Sequence, residues 1–167
     1  MKILSILLIA GLLLSACSDD TGRPPSKTAS EEQSMQRQTL TPRPAVRREF
    51  DTAKITRGTK LFAQNCAVCH GSQAEGTPQW TKPGPDGKYL PPPLNGTAHT
   101  WHHPTVVLKR TIKEGTGKLG GNMPPWGDKL SDEEIEAIIA WFQSLWPDEI
   151  YAVWLRLDAE SRAQSLQ

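Results

Sequence analysis

The residues that could do chemistry in this chain are two cysteines and a histidine. Cys66, Cys69 and His70 stand together in Asn65-Cys66-Ala67-Val68-Cys69-His70-Gly71. On a helical turn, residues three apart lie on one side. Two thiols at that spacing can bond the two vinyl groups of one porphyrin, and the next residue then sits under the iron. C-x-x-C-H is the attachment pattern of haem c. His70 would ligate through one ring nitrogen while a backbone carbonyl holds the other N–H, fixing tautomer and ring plane. Three other readings compete. A thioredoxin-like redox pair needs a βαβ setting, and no strand-like alternation precedes Cys66. His99 and His103 could complete a Cys2His2 zinc set, but 29 residues separate Cys69 from His99, and zinc leaves His70 and a downstream methionine without a role. The third is a chance C-x-x-C-H.

A haem iron in an electron carrier takes a sixth ligand, and a methionine opposite histidine raises the potential. Met1 leaves with an export signal, Met35 lies in a linker, and Met123 is the sole methionine after the attachment site. It occurs in Gly120-Gly121-Asn122-Met123-Pro124-Pro125-Trp126. Pro124 keeps Met123 out of the helical region and Pro125 stiffens the exit, so this loop can present a sulfur with little motion. A plain packing methionine is the alternative. His99, His102 and His103 are rival ligands, although such histidines more often hydrogen-bond to propionates or solvate a loop.

Stepping outward, Lys2, the apolar run Ile3 to Leu14 and Leu14-Ser15-Ala16-Cys17 have the order of an export signal. The cleavage region resembles a bacterial lipobox. That resemblance implies a diacylglycerol on Cys17 as the mature N-terminus, with two or three acyl chains giving stable anchoring. Residues 18–50 contain Pro24, Pro25, Pro42 and Pro44, many Ser, Thr and Gln, and almost no large apolar side chain before Phe50. They read as a flexible tether of roughly 30 Å mean reach, whose Arg43, Arg47 and Arg48 could touch anionic head groups. Of 167 residues, 1–17 are thus signal, 18–50 tether, 51–147 the folded domain and 148–167 a C-terminal extension. Mean hydropathy is −0.47 and the apolar run is too short to span a bilayer, which excludes a polytopic membrane protein. Residues 51–167 carry 12 Lys and Arg against 13 Asp and Glu, so nothing draws the domain toward nucleic acid.

The elements that must position these groups are helical. Ser131-Asp132-Glu133-Glu134 is a capping box, followed by Ile135, Ile138, Ile139, Phe142 and Leu145 at helical spacing until Pro147. Its acidic group, Asp132, Glu133, Glu134 and Glu136, serves the helix dipole or forms a docking patch. Pro104 to Glu114 reads as a second helix, with Pro104 near its first position and Gly115 as terminator. Its basic side, Lys109, Arg110 and Lys113, with Lys118 beyond, is either a solvated face or a surface for an acidic redox partner. Ile150, Val153, Trp154 and Leu157 mark a further amphipathic helix that packs back on the domain or binds a partner.

Over roughly residues 50–147 the sequence looks like a class I c-type cytochrome. Gly58, Phe62 and Cys66 recur every four residues, as on that family's N-terminal helix, whose glycine allows close crossing by the C-terminal helix; Ile138 and Trp141 match positions on that partner. Pro92-Pro93-Leu94-Asn95-Gly96 is similar to the family's P-x-L-x-G, and Met123-Pro124, Leu130 and a final helix follow in order. The resemblance implies an all-α cytochrome c fold around one covalent haem c, His70 and Met123 as axial ligands, the Pro92 carbonyl accepting from His70, and Leu94 packed on the ring. Two stretches depart from it: residues 71–90, longer than a minimal member needs, and Trp101-His102-His103-Pro104. Among Trp80, Tyr89 and Trp101, with Trp101 as the assigned contact, one donor to a propionate is expected; otherwise all three pack. The function implied is electron transfer without catalysis, between a redox donor and acceptor of the bacterial cell envelope, with the membrane reached through Cys17. The alternatives are a haem enzyme with an open sixth position and His102 or His103 as distal acid or base, or a gas or metal sensor whose His99, His102 and His103 hold a second metal.

Overall fold

Glycine at position 58 sets the architecture. It lies in α1 (Thr52–Asn65), where that helix crosses α4 (Asp132–Ser144). A Cβ added there would sit 2.0 Å from the carbonyl oxygen of Ala137 and 2.9 Å from Cβ of Trp141, so the crossing exists because position 58 has no side chain. One turn further on, Phe62 stacks tilted on Trp141 with ring centres 4.2 Å apart. The computed structural model describes residues 48–166. The signal sequence, Cys17 and the tether up to residue 47 lie outside the described residues.

Among the described residues five α-helices carry the fold: α1, α2 (Ala67–His70), α3 (Thr105–Glu114), α4 and α5 (Asp148–Gln164), with 3-10 turns at Thr100–His102 and Gly117–Leu119. Among the described residues there is no strand, just one isolated antiparallel bridge between Pro83 and Tyr89 inside the long 71–90 stretch. None of these helices is long and apolar enough to cross a membrane. The all-α expectation holds. The core gathers Phe62, Leu108, Ile112, Leu130, Ile135, Ile138, Ile139, Trp141, Phe142, Trp146 and Trp154, and each large side chain so buried contributes about 1.5–3 kcal/mol.

Helix α4 begins as its sequence requires. Ser131 Oγ accepts from the Glu134 N–H at 3.3 Å, and the Glu134 carboxylate accepts from the Ser131 N–H at 3.0 Å, satisfying two end donors reciprocally. Helix α3 is capped differently. Pro104 precedes its first residue rather than occupying it, and proline has no side-chain oxygen for the free N–H groups. The acceptor comes from 53 residues away, where Asp158 of α5, 2% exposed, takes the Thr105 N–H at 2.6 Å.

That bond answers how the extension behaves: it folds back. Trp154 is buried, its indole N–H donates to the His103 carbonyl at 3.2 Å, and its ring packs against Trp146 and Tyr151. The tether reading needs a correction at its end. Arg48 donates to the Trp146 carbonyl at 2.6 Å, pairs with Asp148 at 2.7 Å and lies 4.8 Å above the Tyr151 ring, which Phe50 meets edge-on. Residues 48–50 belong to the folded domain because a guanidinium and two aromatic faces find partners there.

The charged groups of α3 and α4 face each other. Lys109 bridges Glu136 at 2.7 Å and Asp132 at 3.2 Å, Lys113 reaches Asp132 at 2.7 Å, and Lys54 of α1 reaches Glu136 at 3.1 Å. Lys109 and Lys113 of the basic side and Asp132 and Glu136 of the acidic group are therefore each other's partners. Lys109 and then Lys54 hold the Glu136 carboxyl below its ordinary range.

Two outcomes are expected. Replacing Gly58 by Ala forces α1 and α4 apart and lowers stability by about 1–3 kcal/mol, whereas Gly117→Ala, which meets nothing within 4 Å, leaves it within about 0.5 kcal/mol; chemical denaturation of the two variants checks this. Glu136 has a depressed folded pKa, so its contribution is present above the unfolded value of about 4.3 and is lost as pH falls through the folded one. The Glu136→Gln variant should then show a shallower loss of melting temperature than the parent when the pH is taken below about 4.

Candidate haem site

Cys66 stands at the junction of two helices. With φ −114° and ψ −35° it closes α1 by donating its N–H to the Phe62 carbonyl and opens α2. Its own carbonyl accepts from Cys69 at 3.1 Å and from His70 at 2.9 Å. This single turn leaves both cysteines as free thiols, Cys66 half-buried and Cys69 exposed, with His70 buried behind them. Burial, and secondarily Cys69, pushes the Cys66 thiol up to about 11, so it stays protonated at neutral pH.

His70 Nδ1 lies 3.0 Å from the Pro92 carbonyl. A carbonyl can only accept, so Nδ1 carries the proton and Nε2 keeps its lone pair for a metal. Burial lowers the His70 pKa, the Pro92 bond opposing it, so the ring is neutral at pH 7, the form that ligates.

The acceptor is itself held. Successive carbonyls of Pro91, Pro92, Pro93 and Leu94 accept from the Thr77 N–H at 2.9 Å, His70, the Thr100 hydroxyl at 3.1 Å and the Trp146 indole N–H at 2.7 Å. Prolines offer no N–H, so this segment can be fixed through its oxygens alone until Leu94, whose N–H donates to Ala74 at 2.8 Å. Gly76, at φ +69°, makes the approach possible: a Cβ there would come within 2.4 Å of Pro93 N and 2.5 Å of Pro92 C.

The Met123 loop is tied to the end of α3. Met123 N–H donates to Thr116 Oγ1 at 3.0 Å and its carbonyl accepts from the Thr116 N–H at 2.9 Å. Gly115, at φ +70°, lets this backbone lie on it, since a Cβ would fall 2.5 Å from the Met123 oxygen. Downstream, Trp126 and Gly127 donate to the carbonyls of Ile112 and Lys113. Upstream, Asn122 donates to Asp86 at 2.7 Å, which joins the long 71–90 stretch to the methionine loop. That bond is the first cause of the lowered Asp86 pKa.

Cys66, Leu94, Trp101 and Met123 are all half-buried against the central core cluster. Of the three aromatic candidates for a propionate, Trp101 packs there, whereas Trp80 stacks on His99 at 5.1 Å and Tyr89 is 60% exposed. The Cys2His2 zinc set does not assemble: among the described residues no group of three or more His, Cys, Asp or Glu gathers around a point. Sequence reasoning passed over Thr116, Gly76 and Trp146. A glycine followed by threonine just past a helix end was a readable loop-anchor signal for the first; nothing local marked the other two. Two free thiols, a neutral buried imidazole with one nitrogen already engaged, and a fixed methionine form a donor set that fits a covalently attached haem.

Residues 53–142 match the family model described as cytochrome C oxidase, cbb3-type, subunit III. The cbb3-type cytochrome c oxidase subunit CcoP of Azospirillum sp. (strain B510) is 30% identical over 95 residues, covering 57% of this chain and 30% of that protein. Subunit FixP of Azorhizobium caulinodans is 33% identical over 96 residues, covering 57% and 28%. Cytochrome c-L of Methylorubrum extorquens is 32% identical over 130 residues, covering 72% and 59%. Among solved structures, cytochrome CL from the marine methylotroph Methylophaga aminisulfidivorans MPT has 24% identity and a TM-score of 0.41, covering 80% of this chain and 78% of that one. The matched stretch thus spans about a third or less of the oxidase subunits. With the family match running from the first turn of α1 into α4 and enclosing Cys66, Cys69, His70, Pro92 and Met123, this chain belongs to the cbb3-type subunit III family of c-type cytochromes, proteins that bind haem c.

Proposed function

We propose that this protein is a single-haem electron carrier, with haem c bonded through Cys66 and Cys69, ligated by His70 and Met123, and tethered to a bacterial envelope membrane by lipid on Cys17. When bound, the haem supplies reversible one-electron exchange of iron. The chain's own residues hold, orient and shield it. The observation that carries the reading is the turn from Cys66 to His70, which offers two free thiols and a neutral imidazole whose Nδ1 is committed to Pro92.

A closed sixth position is favoured over an open one by the way Met123 is held. Both its backbone polar groups bond Thr116, and two prolines follow it, so the backbone that presents its sulfur is braced. Trp101 and Leu94, both half-buried against the core, would keep water from the ring. Val68, 90% exposed beside Cys69, marks the edge at which a redox partner would make contact. The donor and acceptor are other proteins of the cell envelope, and the likeness to oxidase subunits and to a cytochrome c-L supports a place beside a larger oxidoreductase. The anchor rests on the lipobox-like Leu14-Ser15-Ala16-Cys17 and the proline-rich linker after it.

Optical spectra of the chain matured with haem in a periplasm test the ligand set. The expected result is low-spin haem c with a near-infrared methionine band, no response to carbon monoxide, and loss of that band in Met123→Ala. A high-spin ferric parent that binds carbon monoxide readily would overturn the closed His/Met site, and an unchanged spectrum in His70→Ala would remove His70 as the proximal ligand. Thr116→Val, which deletes one of the two bonds to Met123, should keep the low-spin spectrum but raise the affinity for exogenous imidazole by about 3- to 10-fold, the equivalent of one neutral hydrogen bond.

A further inference from the structure

Three histidines remain outside the haem chemistry, all on one turn. His99 precedes the 3-10 turn Thr100–His102, and His103 follows it. The rings of His99 and His103 meet with centres 5.6 Å apart and planes at 82°. Metal–nitrogen bonds of about 2.0–2.1 Å place two imidazole centres about 5 Å apart at the tetrahedral angle and wider at larger ones. The observed separation lies within what one shared ion would require.

The pair is built rather than loose. Trp80 stacks on His99 at 5.1 Å and 26°, reaching it from the long 71–90 stretch. The His103 backbone is fixed at both ends of its residue, its N–H donating to Thr100 at 3.2 Å and its carbonyl accepting the Trp154 indole N–H at 3.2 Å. One ring is thus held by its face and the other by its backbone. His102, exposed and adjacent, starts with its own N–H tied to the His99 carbonyl at 2.9 Å. No carboxylate or thiol joins them within the described residues, so the donors are nitrogens, which suit zinc and copper rather than calcium or magnesium.

We propose that His99 and His103 form a two-nitrogen seat for one divalent transition-metal ion of the zinc or copper class, with its remaining positions open to water or to a side chain of a docking protein. The seat lies on the loop that also supplies Pro92 and Leu94, so an ion there would add positive charge to the segment that holds the His70 imidazole. It stands independently of the ligand set proposed above, because none of its residues belongs to that set.

Calorimetric titration of the haem-loaded full chain with Zn2+, and electron paramagnetic resonance with Cu2+, test it. The expected result is one equivalent bound, with nitrogen hyperfine structure in the copper spectrum. His99→Gln and His103→Gln should each weaken binding by at least about tenfold, since losing even an outer-shell partner costs that much. His102→Gln should change it less. Melting curves of the variants separate lost ligands from lost fold, and a haem spectrum unchanged by either substitution keeps the test apart from the His70 and Met123 assignment. Absence of binding in the parent, or equal binding in the parent and both variants, overturns the proposal.

Discussion

Four successive carbonyl oxygens, those of Pro91, Pro92, Pro93 and Leu94, each take a hydrogen bond from a different part of the chain. The rest of the molecule depends on that short stretch being immobile. His70 reads its tautomer and ring plane from the second of those oxygens. The 71–77 loop, the turn at Thr100 and Trp146, two residues past the end of α4, serve the other three. Three consecutive prolines make the stretch stiff, with φ fixed at about −65°, and they also strip it of donors. Immobility therefore has to be imported from donors elsewhere, and the fold can be understood as the means of bringing Thr77, Thr100 and Trp146 to it.

The methionine side solves the same problem with different chemistry. Its loop has glycines on one side and prolines on the other, and a single residue, Thr116, supplies both a donor and an acceptor to Met123. Asp86 adds a charge-assisted bond to the neighbouring Asn122. The long 71–90 stretch thereby touches both sides: Thr77 reaches Pro91, and Asp86 reaches the methionine loop. Its length beyond a minimal domain has a physical use, since one strap spans from the loop that holds His70 to the loop that carries Met123.

Much of this was legible in the sequence, for identifiable reasons. Ser131 to Glu134 declare a helix start by local chemistry alone, and the structure forms that capping box. Cys66, Cys69 and His70 stand on one turn because a three-residue spacing leaves little choice, and Gly58 with Phe62 marks a close crossing. Long-range partners were not legible. Nothing near Pro104 announces that Asp158 will cap the helix after it, and no pattern around Trp146 indicates that its N–H seeks Leu94. Lys109 and Glu136 each read as surface charge, and their pairing follows from the crossing of helices rather than from spacing. The tether's boundary failed for the same reason: Arg48 looks like linker composition until Trp146, Asp148 and Tyr151 converge on it.

The order of these contacts along the chain has a kinetic meaning. A polypeptide emerges from its N-terminus, so the two cysteines and His70 are available well before Trp146, Trp154 and Asp158 exist to clamp the 91–105 segment. Until residues 146–158 arrive, the Leu94 and His103 carbonyls and the Thr105 N–H of that segment lack their partners. The Cys66–His70 turn is therefore local and early, and the clamping of the 91–105 segment by the C-terminal residues late and non-local. A chain built in this order completes its Cys66–His70 turn first and ties down the far end of the 91–105 segment last, with its own final helix.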